Sequence, residues 1–160
     1  MPAEWERQQS TLMGWPYNKN DWPGKFNYIP KIFAEIISKI TKSQKVNLLI
    51  NNQKSKNIIK KLLRKNNARV RNVKFIICET DRVWMRDIGP IFIKDKKNQN
   101  FLLNWEFNGW AKYKNYRADN KVNLRIKKYY KGNIISPKFN KKSIVLEGGA
   151  IDVNGKGLLI

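Results

Sequence analysis

Apolar patterns typical of strands and of helices alternate through the first half of the chain. Isoleucine and phenylalanine recur at the spacing of one helix face over residues 29–40, with Asn27 as a candidate cap and Pro30 in the tolerant first turn. A second helix with a lysine-rich outer face is predicted around residues 58–63. Short apolar strands are predicted at residues 11–15, 46–50 and 73–78. The order strand–helix–strand–helix–strand predicts an α/β domain.

The second half of the chain predicts shorter elements. Residues 88–94 and 101–105 are predicted to pair as a hairpin across a polar turn, and residues 117–130 show a weaker helical pattern. The Asn-Gly pair at 154–155 is a strong hairpin signal. Further short strands are predicted at residues 134–135, 144–146, 151–153 and 158–160. Because the last apolar run stops at Ile160 in mid-strand, we expect the chain to be the front part of a longer protein.

The chain is strongly basic. It holds 33 Lys and Arg against 12 Asp and Glu, a formal net charge of +21, so a basic nucleic-acid-binding module is an alternative function. A joint excess of Lys, Asn and Ile, however, is typical of proteins from AT-rich genomes. The basic run at 54–74 has no interleaved aromatic side chain, and the nearest one, Phe75, follows it. These observations favour a solvated basic surface over a nucleic-acid partner.

Composition also bears on location. No apolar run approaches the length needed to cross a membrane, and the N-terminus shows neither the basic nor the apolar region of a signal peptide. Cys78 is the only cysteine, so an internal disulfide is excluded. We therefore expect a cytoplasmic globular protein with no membrane partner.

The segment 80–93 holds the densest group of candidate ligand-binding residues. It follows a predicted buried strand and carries Asp81, Trp84 and Asp87 before a Gly-Pro turn. With no His and one Cys, the chain offers no zinc-ligand set, and it has no EF-hand spacing. Paired carboxylates suit a planar guanidinium cation, whose face Trp84 or Trp110 could cover. The alternative is that both acids pair with neighbouring arginines.

Three other positions are candidates for chemistry. Glu147 ends an apolar run and precedes two glycines, which can hold a carboxylate at a strand end; an ordinary turn with an exposed Glu is the alternative. Asp152 lies beside the next turn. Cys78 is predicted to be a buried structural residue and not a nucleophile, because no histidine is present to activate it.

Short motifs follow one another in order along the chain. They are Met-Pro-Ala-Glu-Trp-Glu at 1–6, Trp-Pro at 15–16, Asp-Trp-Pro-Gly at 21–24, Thr-Asp-Arg-Val-Trp-Met-Arg-Asp-Ile-Gly-Pro at 80–90, Phe-Asn-Gly-Trp at 107–110 with Lys-Tyr at 112–113, and Leu-Glu-Gly-Gly-Ala at 146–150. Together they make the chain resemble the agmatine deiminase family, close relatives of the bacterial peptidyl-arginine deiminases. The resemblance covers roughly the N-terminal half of a family member.

The resemblance implies a fold and a reaction. The fold is an α/β pentein-type propeller of βαβ-type modules, of which this chain would supply about two to three. Residues 1–160 are then the N-terminal part of a single catalytic domain whose C-terminal modules are absent. The reaction hydrolyses agmatine to N-carbamoylputrescine and ammonia through a cysteine thiouronium intermediate, while a histidine moves protons. No metal or organic cofactor is implied, and the full-length protein is expected to be a homo-oligomer.

The resemblance also implies roles for individual residues. Asp87 matches the carboxylate that grips the guanidinium, Glu147 matches the partner of the catalytic histidine, and Trp84 matches an aromatic that lines the site. Proximity to these motifs alone adds the weaker substrate-binding candidates Asp81, Asn108, Trp110 and Asp152.

The chain departs from the family pattern in ways that affect activity. It has no histidine, Cys78 is not at the position of the catalytic cysteine, and Ala111 stands where the family usually has glycine. The 160-residue chain alone is therefore expected to be inactive. Peptidyl-arginine or arginine as substrate, an amidinotransferase reaction, and a non-catalytic guanidine-binding protein remain alternatives.

Overall fold

The computed structural model describes residues 1–160, which form two compact units. Residues 8–83 make up the first, called here the parallel-sheet unit, and residues 1–7 with 84–160 make up the second, the mixed-sheet unit. Both units combine helices with strands, as the sequence predicts. That residues 1–160 belong to one catalytic domain stays a prediction.

The parallel-sheet unit has the predicted order of elements. They are β1 (Ser10–Gly14), α1 (Ile29–Ile40), β2 (Lys45–Ile50), α2 (Ser55–Lys65) and β3 (Val73–Ile77). The three strands are parallel neighbours in the order β1-β2-β3, with Thr11 opposite Val46 and Val46 opposite Val73. Neither these helices nor those of the other unit are long and apolar enough to cross a membrane.

The central strand β2 carries the core of this unit. Its side chains Val46, Leu48 and Ile50 are fully buried, which is typical of a parallel strand between two neighbours. They share one buried cluster with residues of both helices, Ala34, Ile37, Ile59 and Leu63. The apolar spacing that predicts the two helices therefore also supplies the side chains that cover the sheet.

Only part of the predicted apolar face of α1 is buried. Ala34, Ile37 and Ser38 are buried, whereas Ile32 and Ile36 remain 45% and 42% exposed. The buried stripe thus combines one large apolar side chain, Ile37, with the small residues Ala34 and Ser38. The large isoleucines at the flank mark the amphipathic pattern but lie outside the contact.

The start of α1 also differs from the prediction. Tyr28 occupies the cap position and makes no side-chain hydrogen bond, so the assignment of Asn27 as cap is wrong. Pro30 lies in the first turn, as predicted. The preceding turns supply the missing partners, because the N–H of Ile29 donates to the carbonyl of Phe26 over 3.1 Å.

The mixed-sheet unit is built from short elements. They are α3 (Met85–Ile88), β4 (Ile91–Lys94), β5 (Asn100–Leu103), α4 (Val122–Ile126), β6 (Asn133–Ile135), β7 (Lys138–Phe139) and β8 (Lys142–Ser143). β4 and β5 are antiparallel, which confirms the predicted hairpin, and β6 adds to β5 in parallel. β7 and β8 form a separate two-stranded hairpin.

Several sequence-based boundaries in this unit are wrong. Ile88 closes α3 and does not begin a strand, because a one-turn helix is too short to show a period. The predicted helix at 117–130 is broken into 3-10 turns around α4, whose α-helical part is five residues long.

The predicted strands near the end of the chain are not full strands. Residues 144–146, 151–153 and 158–160 contribute only isolated bridges, Glu106 to Val145 and Val153 to Leu159. The Lys-rich hairpin of β7 and β8 lacks the apolar alternation that would have revealed it.

Candidate active site

Asp87 is held in the one-turn helix α3. The N–H groups of Asp87 and Ile88 both donate to the carbonyl of Trp84, each over 3.1 Å, which closes the turn. Ile88 is 3% exposed and anchors the turn in the core, while Asp87 is half-buried. Gly89 then leaves the helix in an extended conformation. A rigid turn thus presents the carboxylate at a fixed place.

The glycine pair of the Glu-Gly-Gly segment packs directly against this turn. The backbone N–H of Gly149 donates a hydrogen bond to the Asp87 carboxylate. A Cβ at Gly149 would lie 2.5 Å from Asp87 Oδ1, and one at Gly148 would collide with the carbonyl oxygen of Arg86. A Cβ at Gly148 would thus strike backbone, and one at Gly149 would push the Asp87 carboxylate aside, so close approach favours glycine at both positions and joins the two motifs.

Arg86 fixes the same glycine segment from the neighbouring position. Its Nε donates to the carbonyl of Gly148 over 2.9 Å, and its Nη2 donates to that of Ile151 over 3.4 Å. Its Nη1 forms an ion pair with Glu4 near the N-terminus. Arg86 therefore acts as a tie between three parts of the mixed-sheet unit, and its ion-pair partner is Glu4.

The environment of Asp87 changes its titration. Burial raises the pKa of the Asp87 carboxyl above its ordinary value, and this effect exceeds the lowering by the Gly149 hydrogen bond and by the charge of Arg86. A carboxylate in this condition gains from a second cation, because an opposite charge nearby favours its ionised form.

Aromatic side chains gather next to the Asp87 turn. The ring centroids of Trp84 and Trp110 are 4.6 Å apart, and those of Phe107 and Trp110 are 4.8 Å apart in an edge-to-face arrangement. Tyr113 extends the cluster, with its centroid 5.9 Å from that of Trp110. Trp84 is 39% exposed, so part of its side chain is open to solvent.

Asn108 shapes the loop that carries Trp110. Its Oδ1 accepts a hydrogen bond from the N–H of Ala111 over 3.1 Å, which caps the turn. Trp110 and Ala111 both have positive φ, +56° and +55°, a conformation that glycine adopts more easily than other residues. The structure thus gives Asn108 a local role in the turn, and its predicted role in substrate binding stays a prediction.

Glu147 lies at the other side of the glycine pair. It is half-buried and caps the 3-10 turn of residues 148–150, where its carbonyl accepts from the N–H of Ala150 over 3.0 Å. Gly149 contacts the carboxylate of Asp87, which is predicted to bind the guanidinium. The predicted catalytic residue Glu147 lies only two positions before Gly149 in the chain. This segment joins the two motifs that the sequence separates by about sixty residues.

Asp81 and Asp152 have surroundings of their own, and their role in substrate binding stays a prediction. Asp81 belongs to the parallel-sheet unit, where its negative charge adds to burial in raising the pKa of Asp21. Asp21 forms a buried ion pair with Arg82 over 2.7 Å. Asp152 is exposed and its Oδ1 accepts from the N–H of Val153 over 2.7 Å within the terminal hairpin.

Cys78 fits the structural role predicted for it. It is 3% exposed and its Sγ lies 3.8 Å from the carbonyl oxygen of Glu79. A thiol this buried is not accessible to a substrate, which agrees with a structural role.

Sequence analysis missed a group of polar residues beside Asp87. Trp105, Asp119 and Asn123 line a small cavity together with Asp87. Asp119 and Asn123 are only 1% and 5% exposed. A signal was available, because Asn123 shares the buried face of the predicted helix with Ile126, and a polar residue on such a face is unusual.

Comparison with known proteins identifies the family. The family model of the Porphyromonas-type peptidyl-arginine deiminases matches residues 1–160. The chain therefore belongs to this family, which confirms the resemblance inferred from the motifs.

Individual relatives carry related names. A Mycoplasma capricolum protein with the provisional name agmatine deiminase is 31% identical over 99% of this chain and 42% of its own length. A crystal structure provisionally named a peptidyl-arginine deiminase is 31% identical, with a TM-score of 0.82 over 99% of this chain and 45% of that chain. A Cys→Ser variant of C. jejuni agmatine deiminase with substrate bound is 28% identical, with a TM-score of 0.78 over 98% and 43%. The chain thus spans less than half the length of these relatives.

These similarities settle the fold at a coarse level. The chain has the mixed α/β pentein fold of agmatine and peptidyl-arginine deiminases. The number of propeller modules and the roles of the individual site residues stay predictions.

Proposed function

We propose that the protein is a guanidine-hydrolysing deiminase, of which this chain supplies the guanidinium-binding part, and that its substrate is agmatine. The observation that carries the proposal is the Asp87 carboxylate, held by the Gly149 N–H beside the Trp84 and Trp110 rings. The products would be N-carbamoylputrescine and ammonia, a step toward putrescine and the polyamines.

The local chemistry supports a guanidinium as the ligand. A carboxylate can accept two parallel N–H bonds from the planar guanidinium fork, which an ammonium cannot supply in the same geometry. The partly exposed side chain of Trp84 can cover the plane of the cation. Burial raises the pKa of Asp87, so a bound cation would also offset the free-energy cost of burying the ionised carboxylate.

These 160 residues hold no histidine, and their one cysteine, Cys78, is buried. A cysteine thiolate adds to the guanidinium carbon and ammonia leaves, which forms an S-alkylthiouronium; water then adds and the thiolate is released with the urea product. A histidine would carry the protons, and Glu147 would hold that histidine. We propose that the remainder of the full-length protein supplies both groups and that residues 1–160 alone bind without turnover. This chemistry requires no metal or organic cofactor.

The rival substrates differ at the end remote from the guanidinium. Arginine and peptidyl-arginine present the same cation but add a carboxylate or an amide, and an amidinotransferase would pass the amidino group to an amine. Asp87 and the neighbouring aromatic rings would contact only the guanidinium, which all these substrates share. Agmatine is preferred because the curated Mycoplasma relative carries the name of that activity.

The nucleic-acid alternative gains no support from the basic helix α2. The Nζ atoms of Lys56 and Lys60 each lie 5.8 Å from the centroid of Phe75. The ring of Phe75, the aromatic side chain nearest the basic run, is thus covered by these two lysines. It does not offer a surface on which nucleobases could stack. We expect no binding of a random oligonucleotide at physiological salt, and tight, salt-dependent binding would favour this alternative instead.

The proposal is tested on the full-length gene product with agmatine, arginine and an arginine-containing peptide. We expect ammonia and N-carbamoylputrescine in equal amounts from agmatine, no ammonia with Asp87→Asn, and none from residues 1–160 alone. Faster ammonia release from either rival substrate would replace agmatine by that substrate. A gene product that ends at Ile160, or one that releases ammonia from no guanidine, would contradict the deiminase proposal.

A further inference from the structure

A small cavity lies beside Asp87 within the mixed-sheet unit. Its volume of about 10 Å³ is enough for one water molecule and too small for an organic ligand. Asp87 and Gly89 line it from the α3 side, Trp105 and Phe107 from the loop after β5, and Asp119 and Asn123 from the start of α4.

The lining includes a buried amide oxygen and a buried indole N–H that lack a protein partner. Asn123 is 5% exposed, and its Oδ1 accepts no hydrogen bond from the chain. The buried Nε1–H of Trp105 likewise has no acceptor. Asn120, on the same lining, differs, since its Oδ1 accepts from the N–H of Phe107 over 2.9 Å. The cavity therefore offers the Trp105 donor and the Asn123 acceptor, beside the carboxyl groups of Asp87 and Asp119.

This pair of groups selects among occupants. A metal cation cannot accept a hydrogen bond, so it would leave the indole N–H, which can only donate, unsatisfied. An apolar group would leave both polar atoms unsatisfied. Water can accept from the indole and donate to the amide oxygen, and it then has one further proton to donate. That proton can reach a carboxylate, because Asp87 is on the same lining.

We propose that this cavity binds one structural water molecule, which accepts from Trp105 Nε1–H, donates to Asn123 Oδ1 and donates its other proton to the Asp87 carboxylate. The Gly149 N–H holds Asp87 on one side, and the water holds it on the other. Trp105 and Asn123 are then positioning residues for Asp87. The water site stands on the cavity alone, whereas its effect on guanidinium binding rests on the proposed function.

The first measurement tests the water itself. The experiment records water-selective NOE and ROE spectra of the ¹⁵N-labelled chain. At the indole N–H of Trp105, the relative sign of the NOE and ROE signals is expected to be that of a bound water and not that of proton exchange with solvent. Asn123→Leu, which removes the acceptor and fills the cavity, is expected to abolish the signal. A parent chain without this signal would overturn the proposal, whatever the chain does with agmatine.

The second measurement tests the positioning role by NMR titration with agmatine. Trp105→Phe and Asn123→Leu are each expected to weaken agmatine binding about fivefold, as loss of one hydrogen-bonded partner predicts. The matched control is Asn104→Leu, because Asn104 Oδ1 is also buried without a partner but does not line the cavity. It is expected to leave agmatine affinity unchanged.

The outcomes separate the two proposals. Unchanged affinity in folded Trp105→Phe, with the water signal present in the parent, would overturn the positioning role and leave the proposed function intact. Equal weakening by Asn104→Leu would also overturn it, because general loosening would then explain the effect. A parent that binds no agmatine would contradict the proposed function, while the NOE result still decides the water site. Trp105→Phe keeps an aromatic ring at the position while removing the N–H donor, and it serves if Asn123→Leu does not fold.

Discussion

The backbone N–H of Gly149 donates a hydrogen bond to the carboxylate of Asp87, and a Cβ at position 149 would lie 2.5 Å from Asp87 Oδ1. This contact joins two motifs that are far apart in sequence and brings Glu147 near the guanidinium-binding candidate. Because the approach is so close, any side chain at 149 must displace the carboxylate.

Gly149→Ala is expected to lower agmatine affinity at least tenfold, since the methyl group takes the place of Asp87 Oδ1. Overpacking of this kind costs about 1–3 kcal/mol of unfolding free energy. The matched control is Gly24→Ala, where φ is +69° but nothing lies within 4 Å of the added Cβ, so only backbone strain is introduced. Chemical denaturation and NMR titration measure both effects, and retained binding in Gly149→Ala would count against the contact.

The raised pKa of Asp87 predicts a pH dependence of stability with a definite sign. The folded chain binds the Asp87 proton more tightly than the unfolded chain, so unfolding free energy falls as pH rises from the ordinary carboxyl pKa to the raised one. Asp87→Asn is expected to remove this component of the slope. Urea denaturation of both chains across that pH interval checks it, and identical slopes would contradict the raised pKa.

The affinity for agmatine should depend on the same titration of Asp87, but it should rise with pH where the unfolding free energy falls. The guanidinium binds the ionised carboxylate, so affinity is expected to rise as pH rises through the folded pKa of Asp87 and to level off above it. NMR titrations at several pH values measure this. An affinity that is independent of pH in this interval would show that another group binds the cation.

Arg86→Lys is expected to loosen the glycine segment without removing the charge. Lysine cannot reproduce the Nε bond to the Gly148 carbonyl together with the Glu4 ion pair. Hydrogen exchange at the Gly149 amide should therefore quicken. The control Glu4→Gln breaks only an exposed pair, which is worth about 0–1 kcal/mol, and should leave that amide nearly as protected.

Asp21→Asn is expected to destabilise the parallel-sheet unit by about 3–5 kcal/mol, because it leaves the buried Arg82 guanidinium without its counter-charge. Glu35→Gln is the matched control, since the Lys31–Glu35 pair is exposed and should contribute less than about 1 kcal/mol. Denaturant unfolding of both variants measures the difference. Equal stabilities would mean that the buried pair is not a structural tie.

The sequence predicts the regular elements well and the site contacts poorly, for physical reasons. α1 spans the residues that its apolar period predicts, because that period repeats over three turns. α3 makes a single turn, so Ile88 was assigned to a strand. The Asp87–Gly149 contact depends on packing between distant segments, which local patterns do not encode. Both residues belong to the family motifs, but only the structure shows that a Cβ at position 149 would displace the Asp87 carboxylate.

The central claim is that the Asp87 carboxylate binds a guanidinium, and an NMR titration of the ¹⁵N-labelled chain tests it most directly. Agmatine is expected to shift the Gly149 amide and the Trp84 indole, even if binding is weak. Putrescine, which lacks the guanidinium, and agmatine added to Asp87→Asn are expected to shift neither. Equal shifts from putrescine, or from agmatine in Asp87→Asn, would contradict the account.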